Sequence, residues 1–361
     1  PVQFTRGNKS DSQPRWSPDG QTLAFVSDRG GDRQIWLIDR FGGEARQLTS
    51  MRHGAGSPVW SPDGKRIAFV SSVGPDDKRE LLARPKTEAD KKAEEKKAKD
   101  EARTFTVMRW RADHIGIKPD RQAQIWVIDV PEAGEPLPAP VQVTWGAFDH
   151  NAHRWSPCGK YLTFTANRTE DESFRISDVF IAEVPTGDAP AVKACAAPLA
   201  PGAEAPKEEE ARALAEACKS AAEAAAAAFN PRNVTGSIGV FYGAWFSPDG
   251  KTLATIGHQN EFANTTQPKI YLYPVEGGEP RILDNWNMDM RDTVGADVVE
   301  DGVDLRRDER RRHVADRDDA AGVLRRQRGD DARAVDAERR ERLQVGLDAG
   351  PASGVRPGDR Q

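Results

Sequence analysis

Four copies of one pentapeptide, one invariant spacing and a 44-residue period predict an all-β chain built as a β-propeller. The pentapeptide runs Trp16-Ser17-Pro18-Asp19-Gly20, then Trp60-Ser61-Pro62-Asp63-Gly64, Trp155-Ser156-Pro157-Cys158-Gly159 and Phe246-Ser247-Pro248-Asp249-Gly250. A threonine (Thr5, Thr49, Thr144, Thr235) stands eleven residues before the aromatic every time. The uninterrupted repeat, Trp16 to Trp60, is as long as one four-stranded blade.

Each element of the repeat has a physical reason. Ser-Pro-Asp-Gly suits a type I turn position by position, with proline presetting φ and glycine closing the turn. A β-prone run follows each turn: Leu23–Ser27, Ile67–Ser71, Leu162–Thr165 and Leu253–Ile256. A further strand comes next, at Gln34–Asp39, Gln124–Asp129, Val179–Ala182 and Lys269–Tyr273. The threonines end short seam strands, Val2–Thr5, Arg46–Thr49, Val141–Thr144 and Asn233–Thr235, with Pro1–Thr5 expected in the closing slot of a blade otherwise lacking. Trp16, Trp60 and Trp155 keep one offset from the turn, which predicts core packing rather than a ligand box. The turn aspartates are read as turn formers, and Asp39 and Asp129 as local caps.

The other two intervals are 95 and 91 residues, so two blades carry insertions. The first, at about 75–105, interrupts the second blade and holds the Lys/Glu-rich stretch Lys86–Arg103, a solvated helix or a disordered excursion. The second, at about 189–230, follows the outer strand of the third blade. Its Ala/Pro-rich start leads into an alanine-dominated helix over Glu208–Phe229. Both are expected to be mobile excursions rather than parts of the blade cores.

Composition narrows the function. The chain is 30% charged with a net charge of −5, so no basic surplus points to nucleic acid. No apolar run approaches the ~18 residues of a membrane span, and no export signal opens the sequence, so a cytoplasmic protein is expected. The three cysteines, Cys158, Cys195 and Cys218, are too scattered for a metal site, and free thiols are favoured over a Cys195–Cys218 bond. His150 and His153 could in principle ligate a metal, but no further ligand cluster supports them, and polar loop residues are the preferred reading. No cofactor is expected. Gly-x-Ser-x-Gly is absent, and His313 lies in an Arg/Asp-rich stretch, so no catalytic residue is assigned.

With these motifs the sequence resembles the Trp-Ser-Pro-Asp-Gly propellers of TolB and of the prolyl oligopeptidase family. The Gly42–Thr49 seam, the Lys/Glu-rich insertion and Thr106–Asp113 ahead of Gln124–Asp129 are similar to its acylaminoacyl-peptidase branch. That resemblance covers about residues 1–298 and implies seven blades seated over an α/β-hydrolase domain, of which this chain shows four blades and no hydrolase. It also implies a propeller that admits short or N-acylated peptides and excludes folded proteins. Arg109 and Arg111 are the candidates to face that substrate channel, against a reading as exposed edge charges. A homo-oligomer is among the expected assemblies. The alternatives are a TolB-like protein-binding propeller without activity and a frameshifted fragment without function.

Residues 299–361 break the pattern. No Phe, Tyr or Trp follows Trp286 and no lysine follows Lys269, while arginine and aspartate dominate. The seam slot falls at Asp284, and Gly295-Ala296-Asp297 stands where the next turn is due. A disordered tail translated out of the ancestral frame from near Val299–Gly302 is expected. Reading the coding DNA one or two bases out of phase from that point should restore Trp-Ser-Pro-Asp-Gly repeats and then a hydrolase elbow. If neither phase gives such a continuation, the tail is authentic.

Overall fold

The computed structural model describes residues 3–5, 9–74, 77–100, 111–112, 116–117, 121–169, 176–185, 208–259 and 268–283. All of them fall within one compact unit, residues 1–297. The expected tail at 299–361 lies outside the described residues.

Four four-stranded antiparallel sheets are present, each a meander in sequence order. The first blade is β1 (Asp11–Trp16), β2 (Thr22–Ser27), β3 (Gln34–Asp39) and β4 (Arg46–Gln47). The second begins with β5 (Gly56–Trp60) and β6 (Arg66–Val73). It is then interrupted by a 3-10 turn (Arg79–Leu81), α1 (Glu88–Asp100) and a small ribbon of β7 (Arg111–Ala112) and β8 (Gly116–Ile117). It resumes with β9 (Gln122–Asp129) and β10 (Val141–Gln142). The third blade is β11 (Asn151–Trp155), β12 (Tyr161–Ala166) and β13 (Asp178–Glu183), then α2 (Glu208–Ala228) before β14 (Arg232–Asn233). The fourth is β15 (Gly239–Phe246), β16 (Thr252–Gln259), β17 (Lys269–Pro274) and β18 (Arg281–Leu283). The all-β propeller expectation holds, and helical segments interrupt the second and third blades.

The repeated residues do the same work in every blade. Gly20 N donates to Ser17 O at 2.8 Å, and the Ser17 hydroxyl accepts from Thr22 N at 2.9 Å. Asp19 accepts from the Ser17 hydroxyl and from Gln21 N, which lowers its pKa. Glycine is required at the end of the turn because φ there is +67° to +70° in all four copies. The seam threonines lock the fourth strand to the third. Thr49 Oγ1 accepts from Ile35 N at 2.9 Å and donates to Gln34 Oε1 at 2.8 Å. Thr144 does the same with Ile125 and Gln124, and Thr235 with Val179 and the buried carboxylate of Asp178.

Three apolar cores lie between blades, and a smaller one, Leu23, Phe25 and Ile38, belongs to the first blade alone. One joins Ala24, Val26, Ile35 and Leu37 of the first blade to Ile67, Phe69, Trp126 and Ile128 of the second. Others join the second blade to the third around Phe164 and Phe180, and the third to the fourth around Phe241 and Tyr271. Polar bonds cross the same junctions: Trp60 Nε1 donates to Arg15 O at 3.0 Å and Trp155 Nε1 to Val59 O at 3.1 Å.

Several expectations need correction. Trp16 is 48% exposed and meets Phe4 edge to face, and among the described residues no other blade packs on it. Gln3–Thr5 form no strand, since a seam strand pairs with the third strand of its own blade and none stands beside it. The fourth blade does have its seam strand, β18, paired with β17 in the register of the first blade, Tyr271 to Ile282 as Trp36 to Gln47, although the threonine slot holds Asp284. Cys218 is disulfide-bonded and buried on the inner stripe of α2, so the free-thiol reading fails for it. Cys195 lies outside the described residues.

Cys158 is free and stands in the aspartate slot of its turn, with the Ser156 hydroxyl 3.3 Å from Sγ. A thiol accepts hydrogen bonds less well than a carboxylate. Cys158→Asp should therefore restore the acceptor found in the other three turns. We expect a gain of about 0.5–1 kcal/mol in urea unfolding at neutral pH; a loss would show that the turns are not equivalent.

Candidate functional site

Arginines three residues before the seam threonine link neighbouring blades at the first and third junctions, whereas at the second Arg66 Nη2 donates to Gly159 O at 2.7 Å. Arg46, three residues before Thr49, donates to Pro131 O at 2.7 Å across the first junction. Arg232, three before Thr235, donates to Val275 O across the third. At the second junction the same slot is Val141, which cannot make the tie. A cleft of about 670 Å³ runs along the second, third and fourth blades, lined by Val141, Trp145, Ile181, Pro185, Phe229 and Phe246. The last turn of α2 forms one wall, with Glu183 and Arg232 among the lining groups. Such a lining suits an apolar group with a polar end.

The end of the second insertion walls this cleft, and the described parts of both insertions pack against each other and the blades. In α2, Ala211, Leu214, Ala215, Cys218, Ala221, Ala222 and Ala225 are buried or half-buried, spaced as one helical face. The helix packs on the 3-10 turn of the first insertion. From that turn Arg79 donates to Gln142 Oε1 at 2.8 Å and lies over the Trp145 ring. Beyond the helix, Phe229 stacks near Phe164, and the Arg168 guanidinium sits among Phe148, Phe180 and Phe229. Arg168 also donates to Trp145 O at 3.0 Å.

Charge fastens α1. Thr87 and Asp90 cap it reciprocally, and Arg52 pairs with Asp90 at 3.1 Å. Hydrogen bonds from Arg52 and Thr87 hold the Asp90 carboxyl far below the usual range. Lys86 pairs with Glu94 at 2.8 Å, and Arg121 bridges Glu94 to Asp77. Asp77 in turn receives His53 Nε2 at 2.8 Å and Gly74 N at 2.7 Å. Burial opposes the charge on Asp77, but these bonds more than offset it and lower its pKa. The His53–Asp77 pair thereby joins the loop before β5 to the start of the first insertion.

The histidines singled out in the sequence are not loop-surface groups. His150 is buried, its Nε2 3.0 Å from Arg168 Nη1 and its ring edge-on to Phe164. His153, on β11, is buried with neither ring nitrogen hydrogen-bonded. Burial pushes both down to about 4. No group of three metal-ligating side chains occurs among the described residues. Arg109 lies outside the described residues. Arg111 lies on β7, paired with Ile117 on β8. The cleft had no motif to announce it; the signal available was Val141 where Arg46 and Arg232 stand in other repeats.

The buried histidines fix a pH dependence. Their folded values lie below the usual 6.5, so the unfolded chain binds more protons between pH 6.5 and 4. Stability should be full above that window and fall as pH drops through it. His153→Leu should flatten the fall in chemical denaturation, and an unchanged slope would refute the assignment.

Comparisons with known proteins follow this geometry. Residues 1–102 match the family model described as TolB beta propeller domain. The uncharacterized peptidase YuxL of Bacillus subtilis is 32% identical over 182 residues, covering 50% of this chain and 25% of that protein. A TolB homologue of Protochlamydia amoebophila is 44% identical over 46 residues, 13% of this chain and 10% of that protein. The solved acylaminoacyl peptidase of Pyrococcus horikoshii is 17% identical with a TM-score of 0.44, over 75% of this chain and 31% of that one. This chain thus spans about a quarter of the length of the curated peptidase it matches. Residues 1–102 thus carry TolB-type propeller sequence, and half of the chain is similar to part of a peptidase.

Proposed function

We propose that this propeller gates the access of short or N-acylated peptides to a serine-peptidase active site on a hydrolase domain, in the cytoplasm. The observation that carries the reading is the 32% identity to a peptidase over 182 residues. The structure supplies a physical basis for gating. Blades joined face to face by buried cores do not part readily, so a passage they border would pass extended peptides and refuse folded ones. Such a domain would contribute by keeping bulk water and bulky chains away from the reacting carbonyl.

A second reading is a TolB-like propeller that binds a protein partner outside the cytoplasm. The disulfide at Cys218 favours it, because such bonds persist in oxidising compartments.

Under the gating reading the isolated chain has no turnover. Purified protein should leave chromogenic acyl-alanine and acyl-leucine substrates intact and take no label from a fluorophosphonate probe. Turnover with stoichiometric labelling of a serine in this chain would overturn it. Alkylation of Cys218 in freshly lysed cells without reductant would count against the second reading.

A further inference from the structure

The cleft along the second, third and fourth blades carries two opposite charges that the fold does not use against each other. Glu183 ends β13 and Arg232 begins β14; both line the cleft and both are exposed. Ile181 pairs with Arg232 across the two strands, and Glu183 follows two residues after Ile181, so all three share one face of the third blade. Among the described residues Glu183 has neither a hydrogen bond nor an ion pair. Arg232 gives one N–H to Val275 O and meets no carboxylate among those residues, which leaves most of its five donors unused.

The surroundings of the two charges are those of a ligand site rather than of open surface. Ile181 stands between them on the blade face, and Phe246 and Val275 of the fourth blade line the same cleft, each only partly buried. Tyr161, paired with Glu183 from β12, and Asn230 bring a hydroxyl and a carboxamide, neither of them bonded among the described residues. Spacing then selects the ligand. Diagonal neighbours on paired strands stand ~7–8 Å apart. An extended peptide advances ~3.5 Å per residue, so two residues set a free amine and a free carboxylate about 7 Å apart. A ligand with one charge would answer only one of the two side chains. The volume of about 670 Å³ is within the range of small-molecule pockets.

We propose that this cleft binds a free dipeptide with apolar side chains. Its ammonium group faces Glu183, its carboxylate accepts from Arg232, and its side chains lie on Ile181, Phe246 and Val275. Asn230 and Tyr161 serve the peptide amide. The site calls on no hydrolase domain and is independent of peptide gating.

Isothermal titration calorimetry of the full chain with the dipeptide Leu-Phe tests this. N-acetyl-Leu-Phe, which lacks the ammonium group, and Leu-Phe-amide, which lacks the carboxylate, serve as the matched probes. The dipeptide should bind with a Kd of about 0.1–1 mM, and blocking either end should weaken it about fivefold. Glu183→Gln should abolish the preference for the free amine and keep that for the free carboxylate. Arg232→Gln should do the converse; Arg232→Lys, which keeps the charge, replaces it if that variant lacks native circular dichroism, and should retain the preference for the carboxylate. Glu183→Lys should favour the acetylated probe. Absence of binding at millimolar dipeptide, equal binding of all three probes to the parent, or a preference that survives loss of the matching charge would each overturn the proposal.

Discussion

A blade of this protein cannot bury its own apolar residues, because a four-stranded sheet has two faces and no second layer. Everything else in the fold answers that constraint. Alternate residues along each strand go to opposite faces, so Leu23 and Phe25 point one way while Ala24 and Val26 point the other. Large residues on one blade meet small and branched ones on the next, and packing rather than hydrogen bonding supplies most of the hold. The indole-to-carbonyl bonds from Trp60 and Trp155 add direction to contacts that would otherwise permit sliding.

Within a blade, polar side chains perform the complementary task of fixing backbone geometry. The serine and aspartate of each turn satisfy amide groups that the strands leave unpaired. The seam threonine and its glutamine or aspartate partner hold the short fourth strand where backbone bonds are few. The strict spacing from threonine to aromatic thus has a mechanical origin. Both ends are anchored, one to the third strand of its own blade and the other to the neighbouring blade.

The second junction departs from this regularity, and the departures coincide. Val141 stands in the slot of Arg46 and Arg232, His153 is buried with neither ring nitrogen hydrogen-bonded, and α2 ends beside an open cleft. The inserted segments add contacts there that the repeat does not supply, through Arg79, Trp145, Arg168 and Phe229. Specialisation is concentrated where the repeat is least regular, as expected when function is grafted onto a scaffold.

Much of this was legible in the residues. The turns, the strand order within each blade and the positions of both insertions follow from short-range patterns, because hairpins and turns are governed by neighbouring φ preferences and alternating burial. The alanine-rich helix was legible for the same reason, and the reciprocal cap formed by Thr87 and Asp90 could have been read from its spacing. What one residue meets across a junction was not. Trp16 and Trp60 carry the same local signature, yet one is exposed and the other donates to Arg15. His150 and His153 sit among polar neighbours in sequence and are buried in space. The docking of α1 and α2 depends on charges and small side chains brought together from distant segments. Local sequence determined the blades; the meeting of their faces decided which side chains are buried, paired or left open, because burial is a property of what packs against a surface and not of the surface alone.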